Sequence, residues 1–288
     1  MKPIENEKQI LEDAVSGNQA ALETLLCSMQ DMIFNLALRM LGTIPDAEDA
    51  TQEILIKVMT HLSSFRQDSS LRTWVFRIAV NHLQQYQKGM FSQAHLSFEA
   101  YGADIVSGRE QDIPDLSGGV DQGLLERELK LSCSNVMLQC LEPESRCIFI
   151  LGTMFRLNSR IAADVLEMTP EAYRQKLSRA RKKMAAFLAE YCGLSGTGRC
   201  ACKKRIHYAI ASHRIDPTNL CFQALEPCSY DALTRCTDAM EQLDQLSQVF
   251  ADLPAYRSPK QLTAWVRDLM QSQHFMTVLN NQEAHNEA

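Results

Sequence analysis

The chain has 288 residues, 45% of them hydrophobic and 22% charged, enough apolar side chain for one or two cores and too much for wholesale disorder. No apolar run approaches the ~18 residues of a membrane helix, and the polar, charged start Met1 to Asp13 is unlike a secretory signal, so the expectation is a cytoplasmic protein with no membrane contact. The net charge of −6 argues against binding nucleic acid by bulk charge, but residues 171–205 hold ten Lys/Arg against two Glu, and residues 88–125 hold two against six Asp/Glu.

In chain order, Leu22, Leu25, Leu26, Met29, Ile33, Leu36 and Met40 recur at helical steps and stop at Gly42. A second helix is expected to open at Asp46 as its cap, with Asp49 three positions on and Ala50, Ile54, Val58 and Leu62 as its apolar face. A third is expected from Ser69 or Ser70 to about Tyr86, with Leu71, Trp74, Val75, Ile78 and Ala79 inward. Residues 88–123 hold Gly89, Gly102, Gly108, Pro114, Gly118, Gly119 and Gly123, are acidic, and read as a linker. Helical spacing resumes over 124–190. In the tail, 191–288, helices are expected around Met240, Leu243, Leu246 and Phe250, and around Leu262, Trp265, Val266, Leu269 and Met270 after Ser258-Pro259. No stretch alternates like a strand. The fold expected is all-α: a helical domain over 10–87, an acidic linker over 88–123, a second helical domain over 124–190, and a helical, cysteine-containing extension over 191–288.

The most informative stretch is Asn158 to Leu188. A short helix from Ser159 to Leu166 turns at Glu167-Met168. A longer helix then starts with Thr169 as cap, Pro170 at its first position and Glu171 complementing its dipole. Tyr173, Leu177, Ala180, Met184 and Leu188 form its apolar stripe, while Arg174, Gln175, Ser178, Arg179 and Lys182 lie away from it. This is a helix-turn-helix pattern, whose second helix fits the major groove with its N-terminal side chains at base edges. Arg181, Lys182 and Lys183 would reach phosphates. Alone, the pattern fits equally a solvated basic helix on an ordinary bundle.

The first domain distinguishes these readings. Asp46-Ala47-Glu48-Asp49-Ala50-Thr51-Gln52-Glu53, then Phe65, then Leu71-Arg72-Thr73-Trp74-Val75-Phe76-Arg77-Ile78-Ala79-Val80-Asn81, resembles the first conserved region of the extracytoplasmic-function (group 4) sigma factors of bacterial RNA polymerase, in the sigma-70 family. Leu141-Glu142-Pro143-Glu144-Ser145-Arg146 and Lys176-Leu177-Ser178-Arg179-Ala180-Arg181 resemble the start and the helix-turn-helix of the second region. The resemblance covers roughly residues 10–190. Arg160 stands where the family usually has Glu, and Glu167 where a small residue is common.

The resemblance implies a non-enzymatic factor that binds core RNA polymerase and promoter DNA and directs transcription initiation; an anti-sigma factor is a further partner it allows. It implies polymerase contact at Asp46, Glu48, Asp49, Gln52 and Glu53. The carboxylates Asp49 and Glu53, one turn apart with Gln52, suit a basic partner helix. It implies that the loop Phe65 to Ser70, with Arg72, Trp74, Arg77 and Asn81, meets the −10-type element. Spacing puts Trp74 near the core stripe, which favours packing for it; Arg72 and Arg77 are the better phosphate candidates, and Asn81 is a DNA contact on the resemblance alone. It places the −35-type element on Arg174, Gln175, Ser178 and Arg179, with Lys182 beside them.

Ten cysteines are scattered, but Cys192, Cys200 and Cys202 follow the basic helix directly, in a stretch that resembles a C-terminal extension seen in some of these sigma factors. No cofactor is required by the reading. Zinc, which wants four N or S ligands, is one these thiols could hold; redox sensing and plain packing are the alternatives. Adjacency suggests that the tail masks or releases the DNA-binding helix. A stand-alone helix-turn-helix regulator is the competing function. An enzyme is the remote one, since no P-loop, dinucleotide fingerprint, H-E-x-x-H or nucleophile elbow occurs.

Overall fold

A computed structural model describes residues 7–90, 96–107, 115–193, 200–228, 250 and 253–272. Among these the regular elements are helices only, as the patterning predicted. The first four are α1 (Glu7–Val15), α2 (Gln19–Leu41), α3 (Ile44–His61) and α4 (Leu71–Met90). Asn18 caps α2 by accepting from the Ala21 N–H, and Gly42 ends it in the left-handed region at φ 90°.

The cap of α3 is Thr43, not Asp46: its hydroxyl accepts from the Asp46 N–H at 3.3 Å. The helix can start earlier because Pro45, in the first turn, lacks only an N–H that has no intrahelical partner there. Asp46 still contributes, its carboxylate accepting from the Thr43 hydroxyl. Likewise Ser70 caps α4, accepting from the Thr73 N–H at 3.1 Å.

Part of the expected linker is instead the helix α5 (Phe98–Ser107). Phe98, Tyr101 and Ile105 are buried on one side of it. Gly102, which reads as a breaker, is a close-approach glycine: a Cβ there would meet the Tyr191 ring at 2.5–2.9 Å. Tyr101 stacks on Phe187 at 5.6 Å, and Phe98 lies 4.9 Å from the same ring.

The second half comprises α6 (Gln122–Gln139), α7 (Pro143–Phe149) continuing into a π-helical turn at Ile150–Met154, α8 (Ser159–Val165) and α9 (Pro170–Tyr191). The tail adds α10 (Cys202–Ala211), α11 (Cys221–Ala224) and α12 (Lys260–Gln271). The last matches the expected apolar stripe, with Leu262, Val266 and Met270 buried. The helix expected around Met240 lies, short of Phe250, outside the described residues.

One apolar core runs through both halves and the tail, from Leu25 and Ile33 through Phe149 and Phe187 to Tyr256 and Val266. At the joint between halves sits Arg146, 5% exposed. Its guanidinium donates to the carbonyls of Leu138 (2.9 Å), Met40 (2.7 Å), Gln139 (2.9 Å) and Leu141 (3.0 Å). The orphan carbonyls at the ends of α2 and α6 thus share one cation.

Candidate functional site

The helix-turn-helix forms as its sequence predicts. Asn158 caps α8, accepting from Arg160 and Ile161 N–H at 3.1 and 2.9 Å, and Thr169 caps α9, accepting from Ala172 N–H at 3.2 Å. The turn between them places Glu167 at φ 52°, a left-handed position. Glycine, with no Cβ, is the residue that takes such a position without strain. Tyr173, Ala180, Met184, Phe187 and Leu188 are buried on the inner side of α9; Leu177 of the expected stripe is only half-buried. Gly152 lets α9 seat closely, because a Cβ there would fall inside contact distance of the Tyr173 hydroxyl and 2.6 Å from Leu177 Cδ2.

The outer side of α9 is open. Arg174, Gln175, Ser178, Arg179 and Lys182 are all exposed. Arg174 bonds Ser159 Oγ at 3.3 Å and Glu171 at 3.0 Å, exposed contacts that a DNA phosphate or base edge can replace cheaply. Arg181 points elsewhere, to the Gly152 carbonyl and Thr153 hydroxyl at 3.1 Å each, so it fixes the helix rather than reaching a phosphate.

On α4, Arg72 and Asn81 are exposed, Arg72 lying over the Phe76 ring at 5.6 Å. Trp74 packs partly buried on the core, 5.4 Å from Phe65, the packing role its spacing favours. Arg77 differs from the expectation. It donates to Asp164 of α8 at 2.7 Å, so in this arrangement α4 is paired to the helix-turn-helix and that cation is engaged.

On α3, Asp49 and Glu53 are exposed and Asp46, Glu48 and Gln52 half-exposed. Glu53 lies 3.3 Å from His82 Nε2. Burial and the nearby Lys57 hold the His82 pKa below its ordinary value, against the pull of Glu53. Glu48 is occupied: both carboxylate oxygens accept from Gln261 Nε2 of α12 at 2.8 Å.

The described part of the tail packs mainly against the first half. Its described contacts include α2, α5, α6, Phe149 of α7 and Glu48 of α3, and leave the outer side of α9 exposed. The Asn35 amide pairs with the Tyr256 backbone in both directions, donating at 2.5 Å and accepting at 2.8 Å. Asp31 accepts from the Ser258 N–H and hydroxyl at 2.8 Å. Arg39 donates to the Pro254 carbonyl at 2.6 Å and to Asn135 of α6 at 2.9 Å. Sequence reasoning missed these residues. Asn35 and Arg39 inside an otherwise apolar run were the available signal.

Cys192 and Cys200 pair through the backbone. Burial is the main cause that pushes the Cys202 thiol up to about 12 and raises Cys133 on α6 as well, which keeps both protonated and poorly nucleophilic. Among the described residues, no three His, Cys, Asp or Glu side chains are arranged to hold a metal ion.

Comparison with known proteins matches residues 26–88 to the sigma-70 region 2 family. The RNA polymerase sigma-H factor of Pseudomonas aeruginosa is 35% identical over 179 residues, spanning 62% of this chain and 91% of that protein. The ECF RNA polymerase sigma factor SigW of Bacillus subtilis is 24% identical over 185 residues, 64% of this chain and 97% of that one. A structure of CnrH in complex with the cytosolic domain of CnrY aligns at 23% identity over 64% of this chain and 97% of that one, with a TM-score of 0.46. The chain belongs to the extracytoplasmic-function group of the sigma-70 family: it binds core RNA polymerase and promoter DNA, directs transcription initiation, and is not an enzyme.

Proposed function

We propose that the outer face of α9, through Arg174, Gln175, Ser178, Arg179 and Lys182, reads the upstream promoter element. Arg72, Asn81 and, once released from Asp164, Arg77 would meet the downstream element. The α3 carboxylates Asp46, Glu48, Asp49 and Glu53, with Gln52, would grip polymerase. The observation that carries this reading is the sidedness of α9: Tyr173, Ala180, Met184, Phe187 and Leu188 are buried in packing, while every side chain on it named for DNA is exposed. Nothing in the protein's own packing needs those cations there. Among the described residues no helix is long and apolar enough to cross a membrane, and we place the protein at its work in the cytoplasm, where polymerase and promoters are.

One small helix-turn-helix supplies modest discrimination, about 1–3 kcal/mol per good bidentate base contact. Two modules delivered on one polymerase multiply it, because the second contact becomes intramolecular. The test is run-off transcription with core polymerase on a cognate promoter. Arg174→Ala/Arg179→Ala should keep polymerase binding and lose promoter output by about tenfold or more. Asp49→Lys/Glu53→Lys should lose polymerase binding itself. Binding and output unchanged in both variants would overturn the assignment.

A further inference from the structure

We infer that residues 253–272 are a resident competitor for the polymerase-facing side of the first half: a strap that covers the α2–α3 edge in the free chain and must leave it for polymerase to bind. The inference rests on the assignment of the α3 carboxylates to polymerase.

The strap has two parts. The extended part, Pro254 to Ser258, is held by a row of α2 side chains one turn apart: Asp31, Asn35 and Arg39 each bond its backbone, and Asp31 the Ser258 hydroxyl as well. Asn35 and Arg39 are 6% and 2% exposed. Each therefore needs a polar partner, and the strap supplies one. The helical part, α12, seats Leu262, Val266 and Met270 on the core and half-buries Trp265 and Leu269. Its polar edge then reaches outward. Arg267 pairs with Glu23 of α2 at 3.2 Å, and Gln261 takes both oxygens of Glu48.

Glu48 belongs to the surface that a basic partner helix would use, and here the same carboxylate is spent on the chain's own tail. A helix docking on Asp49, Gln52 and Glu53 has to displace Gln261 to reach Glu48. The strap also couples to the joint between halves, since one Arg39 guanidinium holds both Pro254 and Asn135. Lifting it loosens the closed arrangement in which Arg77 is paired to Asp164.

If the open form is the one that binds polymerase, apparent affinity falls by the fraction of chains that are open. A strap closed nine-tenths of the time weakens binding about tenfold. The experiment measures core-polymerase affinity of the full-length chain, and amide exchange of residues 253–272 with and without polymerase. Val266→Asp should unseat α12 and tighten binding about tenfold; Gln261→Ala/Arg267→Ala, which leaves the apolar seat intact, should tighten it about two- to threefold. Amides of 260–271 should lose protection when polymerase binds. Should Val266→Asp disturb the overall fold, the Gln261→Ala/Arg267→Ala affinity and the exchange of the unmodified chain decide. Affinity that fails to rise in a folded variant, or amides as protected in the complex as in the free chain, would overturn the strap. Failure of Asp49→Lys/Glu53→Lys to weaken binding overturns the carboxylate assignment instead, a result distinct from either.

Discussion

Helices α2 and α9 are of nearly equal length and opposite character. Fifteen of the 23 residues of α2 are buried, against five of the 22 in α9. Polar groups on α2 are thus inside, and each must find a fixed partner: Gln30 at Ser258 and Thr263, Asn35 at Tyr256, Arg39 at Asn135 and Pro254. On α9 the side chains Arg174, Gln175, Ser178, Arg179 and Lys182 are outside, and the contacts Arg174 makes to Ser159 and Glu171 are exposed ones. A polar substitution should therefore read as a change in stability around α2 and as a change in DNA output on α9. The described part of the tail is built onto α2, the helix that has no spare face, and its contacts leave the outer face of α9 open.

The largest expected effect breaks the α2 side. Arg146→Ala removes the cation shared by the Met40, Leu138, Gln139 and Leu141 carbonyls. Each buried carbonyl left without its donor costs about 1–3 kcal/mol, so losing the donor to several at once should cost about 3 kcal/mol or more. Urea unfolding should show a drop of that size. A drop under 1 kcal/mol would mean that water reaches those carbonyls and that the halves are less tightly joined than the contacts imply.

A smaller effect sharpens the α9 side. Gly152→Ala places a methyl against Tyr173 and Leu177, an overpacking that costs about 1–3 kcal/mol. The helix-turn-helix should lose stability, and promoter output should fall with it, while polymerase binding by α3 stays intact. Such a split would tie the seat of α9, and not only its surface cations, to DNA reading.

How much of this contrast was readable in advance depended on whether the signal was local. The caps at Asn158 and Thr169, Pro170 at the helix start and the Tyr173–Leu188 stripe are written within one stretch of chain, and α8 and α9 follow them. Asn35 pairs with Tyr256, 221 positions away, and nothing near Asn35 specifies that partner. Helix α5 was hidden for another reason. Gly102 weakens a helix by propensity, but its missing Cβ is what lets Tyr191 lie against the backbone, a tertiary gain that composition does not display. The α3 carboxylates were legible as a face, whereas the occupation of Glu48 by Gln261 was not, because an exposed amide on a distant helix carries no address.

Acid should weaken the α2 side through α4. His82 is buried beside α3, and its depressed pKa means that the folded chain binds its proton less readily than the unfolded chain. Its contribution to stability is therefore complete above about pH 6.5, the ordinary histidine value, and is lost as pH falls through the lower folded value. Each unit of depression is worth about 1.4 kcal/mol. Thermal unfolding at pH 7.5 and 5.5 should show the loss, and His82→Gln should shrink the difference between the two. An undiminished difference in that variant would assign the acid sensitivity to other groups.

The smallest effect lies at the contact that joins the two regions. Arg77 and Asp164 meet at 2.7 Å with side-chain exposures of 33% and 54%. Solvent screens such a pair, and its coupling should be about 0.5–1 kcal/mol. A double-mutant cycle of Arg77→Ala and Asp164→Ala on unfolding free energy should return that value in the free chain. On polymerase the two halves are expected to separate, so the coupling measured through polymerase binding should have the opposite sense: Asp164→Ala should favour binding slightly, by removing a contact that only the closed chain makes. Arg77→Ala removes the same contact but also the cation proposed for the downstream promoter element, so it should share the gain in polymerase binding and yet lose promoter output. If Asp164→Ala and Arg77→Ala instead behaved alike in both assays, Arg77 would be a latch alone, and the DNA contacts on α4 would reduce to Arg72 and Asn81.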